Sequence, residues 1–518
     1  MFKCIAAMLI LSFVVGCKKI VEILVPVEPE EPGITNEWAN NPYKLNVVYF
    51  IPNDNDSVPD YRQRISRILL DAQSFFATNL EREGFGRKSF GLDIINDSLV
   101  NIVTIIGQKG KDSYPYTGGG AAVQPEVEAY FAANPDKKES EHYLVILPSR
   151  SGDPMNPGGV PFYGTGKFCY ALDYEYLDAK YLGEQSPLGS LATKWIGGMI
   201  HELGHGLNAP HNYGTVSTVD QYGTALMGAG NSTYGKQATF ITSTTAAIFA
   251  NSQSFSTEVR SDWYQNFDFS LKSLRASLSN GKIILSGTFS SAQQINNVAA
   301  YFDPEPYGSN LDYDAITFLS NSLNNDRLYI ESPPSHFQKL TGAYLLKLHF
   351  IAPNGLRKTE SFVFSFQNNV PILDNVYKTE LRDRSLWTIT SSGDQPGSAI
   401  TNILDGDLAT NWHTPWSPVE TNHPHIVSID TKTMTTFNTL VIYNRSNLNG
   451  ALKDFYLKTS DDGTNWTTVG MFSLLRNAGV NYVALGNTIS TQNIRIESIN
   501  SHGGFKYTHM AEFDVIIK

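Results

Sequence analysis

The stretch HELGHGLNAPH, from His201 to His211, gathers three of the chain's 11 histidines around one glutamate. On a helix, residues four apart share a face, so His201 and His205 can present ring nitrogens to one ion at about 2.1 Å. Glu202 stands beside the first of them, placed to reach a metal-bound water without ligating the metal itself. His211 lies off that helix face, so a third ligand there requires a sharp turn after His205. Gly206 and Asn208 tolerate the left-handed backbone of such a turn, and Pro210 stiffens the approach. Three neutral imidazoles leave a fourth tetrahedral position for water, which is the catalytic arrangement of zinc rather than the closed structural one.

The element that must position this set is a helix written LATKWIGGMIHELGHG. Ala192, Trp195, Ile196, Met199 and Leu203 form its core stripe, while Lys194, Gly197, Gly198, His201 and His205 fall on another face. Each interior glycine costs about 1 kcal/mol against alanine, so close packing or room for a substrate must offset it. Upstream, KLNVVYFIP (44–52) reads as a strand and residues 58–83 as a helix with Ile65, Leu69, Ala72, Phe76 and Leu80 on one face. SLVNIVTIIG and HYLVILPS read as buried strands. The first domain is therefore α/β or α+β and is expected to span residues 43–265.

The histidine motif resembles the signature of the metzincin zinc peptidases, HExxHxxGxxH followed by a methionine turn. Asn208 stands where that signature carries glycine. GTALMGAGN supplies Met227 in a glycine-flanked turn sixteen residues after His211, where the resemblance implies an apolar floor beneath the metal. Tyr234 follows Met227 by seven residues, farther than the tyrosine some metzincins place near the metal. Glu258, the first glutamate after Glu202, and Asp220 in GTVSTVDQYG are rival third ligands with unfavourable spacing. The resemblance implies one catalytic Zn²⁺ on His201, His205 and His211, and peptide hydrolysis with Glu202 as general base. It also implies an extended substrate along a sheet edge, for which GGVPFYGTGKF is the candidate segment. The motif chemistry alone does not fix the bond attacked. A hydrolase of another bond, and a surface glycan-binding adhesin with a vestigial metal site, stand as alternatives; an intact Glu202 argues against the second.

The chain opens MFKCIAAMLILSFVVGC: a basic start, a short apolar run and a small residue before cysteine, as in an export signal. Val14-Val15-Gly16-Cys17 resembles the bacterial lipobox, which implies a signal peptide over 1–16, cleavage before Cys17 and lipid attachment there. Residues 17–42, with Pro26, Pro29 and Pro32 among carboxylates, read as a tether. The expectation is an outer-membrane lipoprotein of a bacterial cell envelope, with cell-surface exposure and the periplasmic face both left open. No later segment has the ~18 apolar residues of a membrane helix. Of three cysteines, Cys4 would leave with the signal and Cys17 would be acylated. Cys169, in an apolar stretch, then remains as a buried inert thiol without a disulfide partner. A net charge of −11 and the lack of a basic stripe exclude a nucleic-acid partner.

After residue 265 the pattern turns to short alternating runs. Asn280-Gly281 between two of them marks a hairpin, and residues 266–370 are expected to form an immunoglobulin-like β-sandwich acting as a spacer. The remaining 371–518 again alternate strands with Gly, Asn and Asp turns. There AITNILDGDLATNWHTPW, VIYNRSNLNGALKDFYLKTSDDGTNW and the closing HMAEFDVII resemble a factor V/VIII type C, or discoidin-like, domain. That resemblance implies a jelly roll with Asp405, Asp407, Thr410 and Glu512 as candidate oxygen ligands for a structural Ca²⁺. It also implies glycan binding at the loop tips, with His413, Trp416, Arg445 and Asn449 as candidates; Trp412 and Trp466 are expected in the core. The partners implied are a protein or glycoprotein substrate and a glycan ligand.

Overall fold

The structure is a computed structural model that describes residues 37–95, 99–304, 311–320, 326–379 and 381–518. The signal peptide, Cys17 and tether residues up to 36 lie outside the described residues. Three cores divide the chain, the first drawn from residues 45–255, the second from 267–376 and the third from 400–515.

The first core is built on a five-stranded sheet in the order 103–106, 46–51, 143–148, 168–173, 163–165. The first four strands run parallel and the last antiparallel. NVVYFI, YLVILP and FCYALD are buried along their whole lengths, so both faces of this sheet are covered, which is why their sequences do not alternate. SLVNIVTIIG, which reads as one strand, is two short ones, Leu99–Val100 and Val103–Ile106. Asn101 breaks it, its amide and side chain both turned back onto Asp93. The first helix, Tyr61–Arg82, buries the expected stripe.

The helix of the histidine motif is Pro187–Gly206. Ser186 caps it by accepting from the Gly189 amide, and Pro187 occupies the first turn, where no amide is needed. Its glycines serve close packing. A side chain at Gly197 would meet the Asn231 carbonyl and Tyr234, and one at Gly198 would meet the Phe162 ring. The expected left-handed turn falls on Asn208 alone, at φ 69°. Gly206 is still helical, and its lack of a side chain lets the helix end approach Cys169, which is fully buried with its thiol pKa pushed up by burial.

The second core lies between two antiparallel sheets, ordered 327–332, 282–291, 269–279, 377–378 and 316–320, 297–303, 342–351, 357–367, 370–372. Asn280 and Gly281 form the expected hairpin, both left-handed at φ 50° and 71°. This sandwich does not stand off as a spacer. Ala247 and Ile248 of the first domain share a buried apolar cluster with Ala299, Tyr301, Ala315 and Ile351 of the second. The Asn354 side chain donates to the Asp262 and Gln265 carbonyls across the same junction. The third core is a β-sandwich whose main sheet runs 388–391, 426–444, 479–498, 454–460, 467–473, with 512–516 added to 426–444. Trp412 is in this core, as expected, whereas Trp466 is half-exposed with the Arg495 guanidinium 3.9 Å over its ring.

Candidate active site

His201 and His205 project from one helix face, and the turn at Asn208 returns His211 to them. Nε2 of His205 and Nε2 of His211 are 2.9 Å apart. The donor atoms of all three rings lie within 4.8 Å of one another. Each opposite nitrogen faces a backbone carbonyl: Nδ1 of His201 and Leu226 O at 2.7 Å, Nδ1 of His205 and Ala209 O at 2.7 Å, Nδ1 of His211 and Leu311 O at 2.9 Å. A carbonyl only accepts, so each Nδ1 carries the proton and each Nε2 offers its lone pair to the shared space. Burial lowers all three pKa values, to about 3 for His201 and about 4 for His211, which keeps the rings in the neutral form a metal needs. The donor set, its convergence and its oriented outer hydrogen bonds fit an open zinc site.

Glu202 has its pKa pushed up to about 7 by burial, opposed by a hydrogen bond from the Gly164 amide to Oε2 at 2.7 Å. Gly164 belongs to the edge strand Tyr163–Thr165, inside the segment expected to line the cleft. Met227 is buried, and its sulfur occupies the space a side chain on Gly204 would fill. The Met227 carbonyl accepts from the Asn212 amide at 3.1 Å and its neighbour Leu226 holds His201, so this turn braces both ends of the ligand set. Tyr234 is elsewhere, buried and donating to Asp71 at 2.6 Å. Asp220 and Glu258 are exposed, and among the described residues the ligand cluster contains neither.

Two contributors carry no signal in the sequence. Leu311 supplies the carbonyl that holds His211, and the Tyr313 ring stacks on His211 with centroids 3.6 Å apart at 24°. Both belong to the second domain.

In the third domain, the Thr410 hydroxyl lies 2.8 Å from Asp405 Oδ2, 3.0 Å from the Asp407 carbonyl and 3.4 Å from the Asn402 carbonyl. Asp407 turns its carboxylate toward the Ala409 amide, so it would offer a cation its carbonyl. Glu512 is fully buried, holds the Gly406 amide and Arg384, and has its pKa pushed up to about 7 by burial. This gathering of hard oxygens fits Ca²⁺, with Arg384 countering part of the negative charge.

The His413 ring has the rings of Trp416 at 6.4 Å, Tyr507 at 5.0 Å and His509 at 5.5 Å, centroid to centroid. Arg445 acts on both histidines electrostatically, and the Asn449 carbonyl faces His509 Nε2 at 3.0 Å. His413, Trp416, Arg445 and the Asn449 backbone are thus brought together, while the Asn449 side chain accepts from Arg476 at 3.2 Å. Tyr507 and His509 join them, and sequence reasoning missed both as site residues.

Residues 388–513 match the F5/8 type C domain model. Over 136 residues the chain is 29% identical to galactose oxidase of Gibberella zeae, across 26% of this chain and 20% of that enzyme. It is 28% identical to a sialidase of Micromonospora viridifaciens, across 22% of this chain and 18% of that one. The chain therefore spans about a fifth of these relatives. A much longer likeness is to OgpA of Akkermansia muciniphila, at 38% identity and a TM-score of 0.61, covering 63% of this chain and 95% of that one. That structure holds a catalytically inactive OgpA in complex with an O-glycopeptide, glycodrosocin, as substrate. The chain belongs to the family of OgpA and carries in addition a C-terminal F5/8 type C domain.

Proposed function

We propose that this protein is a zinc-dependent endopeptidase of metzincin type that cleaves O-glycosylated proteins. The observation that carries this reading is the convergence of three Nε2 lone pairs beside Glu202. Its likeness to OgpA, whose bound substrate is an O-glycopeptide, supports glycoproteins as the substrate class. His201, His205 and His211 would hold the ion, which when bound polarises the scissile carbonyl and makes a water nucleophilic near neutral pH. Glu202 takes the proton of the attacking water and delivers it to the leaving amine. Its burial keeps that carboxylate basic enough to do both. The edge strand Tyr163–Thr165 lines the substrate's extended backbone, and the Gly164 amide holds Glu202 in line.

The F5/8 type C domain binds glycans through His413, Trp416, Arg445 and Asn449, and Ca²⁺ orders the Asn402–Thr410 loop. Anchoring through acylated Cys17 at a bacterial cell surface would bring both functions to one substrate, so modest glycan affinity suffices. The test is digestion of O-glycosylated proteins, intact and enzymatically deglycosylated, by wild type and Glu202→Ala with zinc content measured for both. Cleavage of the glycosylated forms by wild type alone, with zinc in both proteins, is the expected result. Zinc in both with no cleavage by either would favour the adhesin reading.

A further inference from the structure

Resting on the zinc-peptidase reading, we propose that Leu311 and Tyr313 of the second domain are positioning residues for the third zinc ligand, so that the metal centre is divided between two domains. The first two ligands are held within the first domain. His201 and His205 ride on a regular helix, and the carbonyls of Leu226 and Ala209 fix their rings. His211 has neither advantage. It follows the helix end, in chain with no regular structure, and its ring is only partly buried.

What fixes it comes from 100 residues further along the chain. Leu311 O orients Nδ1, and the Tyr313 ring lies against the imidazole face, so neither rotation nor tautomer exchange is free. Tyr313 also reaches over the site toward His201, with centroids 6.4 Å apart, and the Glu202 charge acts on its hydroxyl.

The backbone there is strained for the purpose. Leu311 and Asp312 are consecutive non-glycine residues in the left-handed region, at φ 51° and 69°. Such residues are strained and persist only where their surroundings impose them. Here Asp312 pairs with Lys347 of the strand Gly342–Ile351, and the Tyr213 amide donates to the Ala315 carbonyl at 2.7 Å. The Tyr213–Ala315 bond ties the chain after His211 across the junction, Lys347 holds Asp312 within the second domain, and the turn so fixed aims one carbonyl and one ring at His211.

The experiment is the zinc dissociation constant of the full chain, by competition with a chromogenic chelator, for wild type, Tyr313→Ala, Tyr313→Phe and Lys347→Met. Residues that orient a ligand are typically worth 10–100-fold in metal affinity. Tyr313→Ala and Lys347→Met are expected to weaken zinc within that range, and Tyr313→Phe, which keeps the ring, to stay within about threefold. Tyr313 is 42% exposed, so its truncation opens no core cavity. Unchanged thermal unfolding of the zinc-free variants checks this, and Lys347→Met carries the test should Tyr313→Ala misfold. Wild-type affinity in both Tyr313→Ala and Lys347→Met overturns the proposal. Failure of wild type to bind zinc at all overturns the peptidase reading beneath it.

Discussion

The amide of Gly164 donates to the carboxylate of Glu202 at 2.7 Å, tying the sheet's edge strand to the proposed general base. A side chain at 164 would overlap the Glu202 carbonyl and the His205 Cβ, so even a methyl must push strand and helix apart. Displacements near 1 Å at a reacting centre cost about 10²-fold. Gly164→Ala should accordingly lower kcat/KM by about 10²-fold, measured on a glycopeptide substrate. Wild-type turnover in that variant would show that the strand and Glu202 are not coupled.

His142 is fully buried, with Nδ1 at 2.7 Å from the carbonyl of Gly206, at the end of the active-site helix, and Nε2 facing the Tyr264 hydroxyl. Burial lowers its pKa from 6.5 to about 4. Between these values the unfolded chain binds the proton and the folded one does not. The contribution of His142 to stability is thus fully present above pH 6.5 and is lost as pH falls toward 4. The loss is on the order of 3 kcal/mol. Thermal unfolding of wild type should fall more steeply than that of His142→Gln across this window. Superimposable pH profiles would remove His142 from the account.

How far the site was legible follows from the range of each interaction. His201, Glu202 and His205 were readable because helical spacing is local, and Asn208 because a left-handed turn selects its residue. Met227 was readable only through the family resemblance, since nothing in GTALMGAGN states that its sulfur packs on Gly204. Leu311 and Tyr313 were invisible. A backbone carbonyl has no residue signature, and a tyrosine 102 positions past His211 belongs, by pattern alone, to another domain. The spacer reading failed on a related ground: Val298, Ala299, Ala300, Tyr301 and Phe302 form an unbroken apolar run buried on both faces, and such a run does not name what covers Ala299 and Tyr301.

The sulfur of Met227 fills the space above Gly204 on the ligand helix, which makes two substitutions informative. Met227→Leu keeps volume and apolarity and should cost under about 1.5 kcal/mol. Met227→Ala leaves a cavity under the helix and should cost about 2–5 kcal/mol, visible as a lowered calorimetric transition of the first domain. Equal transitions for the two variants would mean that Met227 does not brace the helix.

The Asn402–Thr410 loop and the aromatic face beyond it are separated by only a few residues of chain, yet their chemistry differs and can be dissected. Oxygens of Asp405, Asp407 and Thr410 gather at one point of this loop, where a hard cation would find its donors. By mass action, calcium at 100 times its dissociation constant adds about 2.7 kcal/mol to the third domain, read as a rise in its unfolding temperature. Asp405→Ala should abolish that rise. Trp416, 54% exposed beside His413, has no part in the cluster. Trp416→Ala should keep the calcium response while weakening glycan binding about tenfold, in keeping with the loss of an aromatic contact of about 1 kcal/mol or more. If wild type shows no calcium response, Arg384 alone neutralises Glu512 and the loop is ordered by protein contacts. If Trp416→Ala binds glycans as wild type does, the binding face lies elsewhere on the sandwich.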